Sequence, residues 1–182
     1  MSTYSILTIG HSTHDADEFV ALLRRHGVEA VADVRRFPSS RRLPHFNAGS
    51  LGDRLGEEGI RYALLGEGLG GRRRPEPDTR NTGWRVAGFR GYADHMASAD
   101  FLAALSELED LGRDRRTAFM CAEGPWWRCH RQLIADALLA RGWSVEHVMP
   151  DGHVERHRLT PFAVVAGETI TYPGGLEAPN AE

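Results

Sequence analysis

The sequence predicts an α/β fold: one domain with a mostly parallel central sheet of about five strands, flanked by helices, and a C-terminal antiparallel hairpin. Short apolar runs alternate with stretches that carry apolar residues at helical spacing. Gly, Pro and Asp turn signals separate the two kinds of segment. The length, 182 residues, suits one domain whose core needs neither a disulfide nor a metal to fold.

Taken in order, Ser5–Ile9 reads as a strand ended by Gly10-His11-Ser12-Thr13. Asp15 or Asp17 caps a helix that runs through Arg25, with Phe19, Leu22 and Leu23 as its apolar stripe and Gly27 as its stop. Val28–Val34 is a second buried strand, so the three elements make a right-handed unit of parallel strands. A turn-rich loop with four arginines follows, then a short helix over Leu51–Glu58 and a third strand over Ile60–Leu65. Gly66–Gly71 (GEGLGG) reads as a flexible loop and Arg72–Gly88 as a long one, a lid or a mobile segment. Tyr92–Leu111 is helical in one or two pieces, with Phe101, Leu102, Leu105 and Leu108 facing the core. Thr117–Met120 is a fourth strand and Gln132–Arg141 the next helix, with Pro125 suited to a first helical turn. Trp143–Met149 is a fifth strand, Asp151-Gly152 a hairpin turn, and His153–Arg158 the antiparallel return. Ala163–Tyr172 adds an edge strand. The domain then spans residues 1–172, and 173–182 form a polar tail expected to be disordered.

Composition narrows the function classes. The net charge of −3 argues against broad electrostatic binding of nucleic acid. All 22 basic residues are arginine, which suits bidentate contacts to phosphate or carboxylate where they cluster. No basic region precedes a long apolar run, and no stretch approaches a membrane span, so a cytoplasmic protein with no membrane partner is expected. Two cysteines in such a setting are inert, catalytic or metal-binding rather than a structural disulfide.

Parallel strands place their carboxyl ends on one rim, where open α/β sheets bind ligands. That rim collects His11 and Ser12, then Asp33, Arg35 and Arg36 with Ser40 and Arg41 on the following loop. It also collects Gly70 and Gly71 of the glycine run, and Cys121 and Glu123. Cys129, His130 and Arg131 stand at the start of the next helix, whose free N–H groups draw anions and lower a thiol pKa. Each residue has a plainer reading: a buried cysteine as core filler, helix-borne His130 and Arg131 pairing with carboxylates, a solvated arginine loop, and Trp126 and Trp127 as packing anchors.

The motifs IGHS at Ile9–Ser12, DVRRFPSSRR at Asp33–Arg42, PHFN at Pro44–Asn47, LGG at Leu69–Gly71 and MCAEGPWWRCHR at Met120–Arg131 resemble the domain-of-unknown-function family 488. The likeness runs from about Thr8 to His147 and is weakest over Arg72–Arg90. It implies a compact α/β domain and supplies no reaction. Three functions remain open.

The first is an enzyme, a hydrolase or transferase, acting on a small anionic substrate such as a nucleotide or a nucleic-acid fragment. Cys121 would be the nucleophile, lowered in pKa by the helix N-terminus and Arg131, and Glu123 or His11 the general acid or base. Ser12, Asp33, Arg35, Arg36, Ser40, Arg41, Gly70, Gly71 and Arg131 would line the anion site, with Asp33 orienting one arginine by a bidentate pair. The arrangement from Cys121 to Arg128 is an analogue of the anion cradle of cysteine phosphatases and rhodaneses, with six intervening residues where those have five. The second function is a zinc or iron site through Cys121, Cys129 and His130, although Cys-x7-Cys-His is not a common zinc spacing. The third is a non-catalytic nucleic-acid-binding module.

Overall fold

The computed structural model describes residues 4–175. The chain runs β1 (Ser5–Gly10), α1 (Ala16–Arg25), β2 (Ala30–Asp33), α2 (Ala48–Glu57), β3 (Arg61–Leu64), α3 (Gly66–Leu69), α4 (Ala87–His95), α5 (Ala99–Asp114), β4 (Thr117–Cys121), α6 (Arg131–Ala140), β5 (Ser144–Val148), β6 (Val154–Arg156), β7 (Val164–Ala166) and β8 (Thr169–Thr171). Short 3-10 turns cover Pro44–Phe46 and Trp126–Arg128. Six strands form one sheet in the order β3-β2-β4-β1-β5-β6. The first five of these are parallel, and β6 pairs antiparallel with β5.

The order explains where a site can form. From β1 the chain moves to one side of the sheet, to β2; from β4, the neighbour of β1, it moves to the other side, to β5. Connections diverging in this way leave a crevice at the carboxyl ends of the two strands. Gly10 pairs with Cys121 there, at the last position of both strands. Alternation along β4 fixes which face each residue serves. Ala118 and Met120 join the core under α1 and α2, with Phe19, Leu23, Leu51 and Leu55. Phe119 and Cys121 join the other core, under α5 and α6, with Leu105, Leu108, Leu133 and Leu138.

Local signals account for the helix starts. Asp15 caps α1 in a reciprocal capping box with Glu18, and Ser98 caps α5 by accepting from the Phe101 N–H. β1 and β2 lie parallel in one sheet, as expected, with β4 between them. Other expectations are corrected. The glycine run is not all loop: Gly66–Leu69 makes one helical turn, because residues without Cβ pack against backbone here. A Cβ on Gly66 would sit 1.8 Å from the Arg35 carbonyl oxygen, and one on Gly70 2.2 Å from that of Gly66. Leu102 is 45 % exposed rather than core-facing, since it sits one residue off the stripe of Phe101, Leu105 and Leu108. Residues 163–172 form no edge of the main sheet. They make a separate β7–β8 hairpin.

The long segment after residue 71 lacks helix or strand until Ala87, and it is tied down. Asp94 accepts from the Glu76 N–H, the Thr79 hydroxyl and the Asn81 amide. Trp84 packs edge-on against Phe89 and Phe162. Among the described residues no helix is long and apolar enough to cross a membrane. The expected tail lies, from residue 176 onward, outside the described residues.

Candidate functional site

Cys121 closes β4, and the chain then turns through the 3-10 segment Trp126–Arg128 before α6 begins at Arg131. Pro125 therefore precedes that turn rather than α6, and Cys129 lies just before α6. This brings the two sulfurs to 3.0 Å, both buried. The Nε–H of Arg131 donates to both, at 3.0 Å to Cys121 and 3.2 Å to Cys129. The Arg131 backbone N–H, at the start of α6, points at the Cys129 sulfur over 3.4 Å.

The two thiols are pushed apart by this arrangement. Burial, and then the hydrogen bond to Cys129, raise the Cys121 thiol well above its ordinary value. Burial also opposes ionisation of Cys129, but the Cys121 S–H and the Arg131 charge outweigh it and pull that thiol down to about 5. These directions favour one proton shared by the pair, with Cys129 the more acidic of the two. The sequence favoured Cys121 as the acidic thiol; the Arg131 backbone N–H, at the start of α6, faces Cys129 instead.

Arg131 is 0 % exposed and makes no ion pair with a carboxylate among the described residues. Its remaining N–H groups go to the Glu123 and Gly124 carbonyls, at 2.6 and 2.9 Å, and to the Thr8 hydroxyl at 3.1 Å. A buried relay continues from there. Thr8 Oγ1 lies 2.8 Å from His147 Nδ1, His147 Nε2 lies 2.9 Å from His157 Nδ1, and His157 Nε2 lies 2.8 Å from Asp136 Oδ1. Asp136 also accepts from the Thr160 N–H and the Tyr172 hydroxyl. One tautomer assignment satisfies every member: each imidazole donates through Nε2 and accepts at Nδ1. His147 is held neutral, chiefly by burial, and lies stacked 4.2 Å from Trp126.

The second half of the site hangs from β2. Arg35 donates to both Asp33 oxygens, Nε at 2.9 Å and Nη2 at 2.6 Å, and Nη2 also reaches the Phe46 carbonyl. Asp33 is the orienting carboxylate that the sequence suggested, with the Tyr62 hydroxyl as a further donor at 2.7 Å. His11 stands behind Arg35, its Nε2 3.3 Å from Nη1, its Nδ1 on the Ser12 carbonyl, its ring stacked on Phe46. Burial, with Arg35 adding to it, lowers His11 to about 4, so it is neutral near pH 7 and accepts from Arg35.

Both halves open on a cavity of about 730 Å³. Arg35, Arg36, Arg72 and Arg128 give it positive charge, and Cys121, Cys129, Glu123, Gly71 and His130 also line it. Phe37 and Trp127, 62 % and 47 % exposed, stand among its lining residues. The guanidinium groups of Arg36 and Arg72 lie 5.5 and 5.9 Å from the Phe37 ring centre.

Of the residues anticipated from sequence, Arg35, Arg36, Gly71, Cys121, Glu123, Cys129 and His130 meet in this wall. His11, Asp33 and Arg131 stand behind it and hold wall residues in place. Ser12, Ser40, Arg41 and Gly70 do not line the cavity. Ser12 has φ of +49° and donates its backbone N–H to the Ala122 carbonyl, Ser40 accepts from the Leu43 N–H, and Arg41 is exposed. His130 turns its Nε2–H to the Val34 carbonyl at 2.9 Å. Among the described residues no group of three or more His, Cys, Asp or Glu side chains is arranged to hold a metal. Sequence reasoning missed Thr8, His147, His157 and Asp136. The signal was a charged residue inside the apolar helix run QLIADALLAR, and a histidine on the buried side of a strand beside Val145.

No curated protein and no solved structure matches the chain. A family model, described as domain of unknown function DUF488, matches residues 15–138. That span begins after the IGHS motif and holds both arginine-bearing motifs and the thiol pair. With more than half of its length matched, the chain belongs to the DUF488 family.

Proposed function

We propose that the protein is an enzyme that binds an anionic, phosphate-bearing substrate of nucleotide type in this cavity and attacks it with the Cys129 thiolate. The observation that supports it is the joining of an arginine rim to the Cys121–Cys129 pair within one cavity of about 730 Å³, a size common for small-molecule sites. The guanidinium groups of Arg35, Arg36, Arg72 and Arg128 suit phosphate oxygens, and Phe37 and Trp127 offer faces on which a base can stack. In the reaction, the Cys129 sulfur forms the new bond to the electrophilic atom. The leaving oxygen departs with its electron pair into the positive rim. Water then releases the bound group, and Glu123, the one carboxylate among the lining residues, takes the water's proton.

The test is calorimetric titration with nucleoside mono- and diphosphates, beside turnover of an aryl phosphate ester. The reading predicts micromolar to millimolar binding that Arg36→Ala weakens, and turnover that Cys129→Ser abolishes while binding persists. Turnover untouched by Cys129→Ser would refute it. A second reading, a non-catalytic nucleic-acid-binding module, draws on the exposed Phe37 ring between Arg36 and Arg72. Binding of single-stranded oligonucleotide without any turnover would favour it.

A further inference from the structure

We propose that Cys121 and Cys129 also form a redox-active dithiol that reduces small anionic disulfides, and that the fold holds this pair in its reduced form. The inference goes beyond the phosphate chemistry and does not depend on it.

The sulfurs are 3.0 Å apart, so closing to the roughly 2.05 Å of a disulfide needs a shift of about 1 Å. Both line the cavity, and Cys129 is the more open of the two, at 6 % against 2 %. The same rim of Arg35, Arg36, Arg72 and Arg128 selects disulfides that carry carboxylates. The step balances without a further reactant. The Cys129 thiolate attacks one sulfur of R–S–S–R, a Cys129–S–S–R bond forms, and R–S⁻ leaves. Cys121 gives its proton to a departing R–S⁻ and attacks the Cys129 sulfur, expelling the second R–S⁻. The protein gives up two electrons and ends as the Cys121–Cys129 disulfide; the substrate gains them and ends as one R–SH and one R–S⁻, which takes its proton from water.

Arg131 decides which form the fold prefers. Among the described residues its buried guanidinium meets no carboxylate, and a thiolate on the pair would be the full negative charge it touches. Oxidation removes that charge and leaves the guanidinium with dipoles alone: the Thr8 hydroxyl and the Glu123 and Gly124 carbonyls. An uncompensated buried charge is costly. Disulfides ordinarily stabilise by constraining the unfolded chain, and a short loop gains somewhat less from that than a long one. On this proposal, stranding the Arg131 charge outweighs that gain and reverses the usual sign.

The test uses the full chain. Oxidised glutathione is added and removed, formation of the internal disulfide is followed by the loss of two hydrogens in the intact mass, and both forms are melted. The reduced form is expected to melt several degrees higher. An oxidised form that melts at or above the reduced one, or a chain that never loses the two hydrogens, overturns the proposal. Arg131→Met, if it folds, should abolish the difference; a difference that persists overturns the role of Arg131. Cys121→Ser should stop at the mixed disulfide on Cys129, and reaction of Cys121 in Cys129→Ser should be at least tenfold slower than that of Cys129 in Cys121→Ser. Equal rates in the two variants would contradict the order of attack. A neutral disulfide, hydroxyethyl disulfide, should react more slowly with the wild type than oxidised glutathione does; the reverse order would remove the anionic substrate class.

Discussion

Arg131 enters the core as a charge and must find its counter-charge there. Among the described residues the side chains it touches are two sulfurs and a hydroxyl, so a thiolate is the counter-charge that the site favours. Asp33 meets the same problem differently, by pairing fully with Arg35. Asp33 and Arg35 are both buried, so Asp33→Ala leaves an uncompensated guanidinium. Breaking such a pair costs about 3–5 kcal/mol, which urea unfolding will read as a lower midpoint. A loss under about 1 kcal/mol would mean that the pair does not hold β2 to the wall. Asp33 was legible because an acidic residue closes an apolar strand beside several arginines. The supporting role of His11 was not, because sequence places a residue at a strand end without saying which way its ring points.

At the scale of elements, the ends of β1 and β4 set the geometry of the site. Gly10 lets the chain after β4 lie against β1: a Cβ there would sit 1.7 Å from the Glu123 carbonyl oxygen. Gly10→Ala must push that loop away and, with it, the carbonyls that hold Arg131. A destabilisation of about 1–3 kcal/mol is expected, with faster proteolysis of the loop. Gly56 in α2 has no atom within 4 Å of a built Cβ. Gly56→Ala should stabilise by about 0.5–1 kcal/mol, through backbone entropy alone. Thermal melts of the two variants that moved in the same direction would contradict this contrast. The strands were legible because their apolar runs are short and bounded. So was the start of α6, expected at Gln132 and found at Arg131. The 3-10 turn before it was not, because Pro125 is favourable both before such a turn and in a first helical turn.

Across the whole molecule, buried titratable groups set how stability follows pH. His11 falls from 6.5 to about 4, and His147, His130 and His95 are also lowered, each chiefly by burial. Below pH 6.5 the unfolded chain takes up protons that the folded chain refuses, so stability is full above 6.5 and is lost as pH falls towards 4. The thiols extend the trend. Cys129 falls from 9.0 to about 5, so its contribution grows as pH rises from 5 to 9. Cys121 is raised, so above 9 the unfolded chain releases a proton that the folded chain keeps, and stability declines. Urea midpoints of the reduced protein should therefore climb from pH 4 and peak near 9; a peak near pH 6 would contradict the assignment. The α/β class and the shared rim were legible because β1 leads into His11 while β2 and β4 end on Asp33 and Cys121. The Thr8-to-Asp136 relay was not, because it joins four segments that only the fold brings together.

The central claim is that Arg131 and the start of α6 hold a thiolate on Cys129 inside the arginine-lined cavity. Competitive alkylation of the native protein across pH 4–9, with peptide mapping of both sulfurs, tests it most directly. The account predicts that Cys129 labels first, with its rate rising through a midpoint near 5, while Cys121 stays protected to the alkaline end. Labelling of Cys121 ahead of Cys129, or of both together with a midpoint near 9, would contradict it.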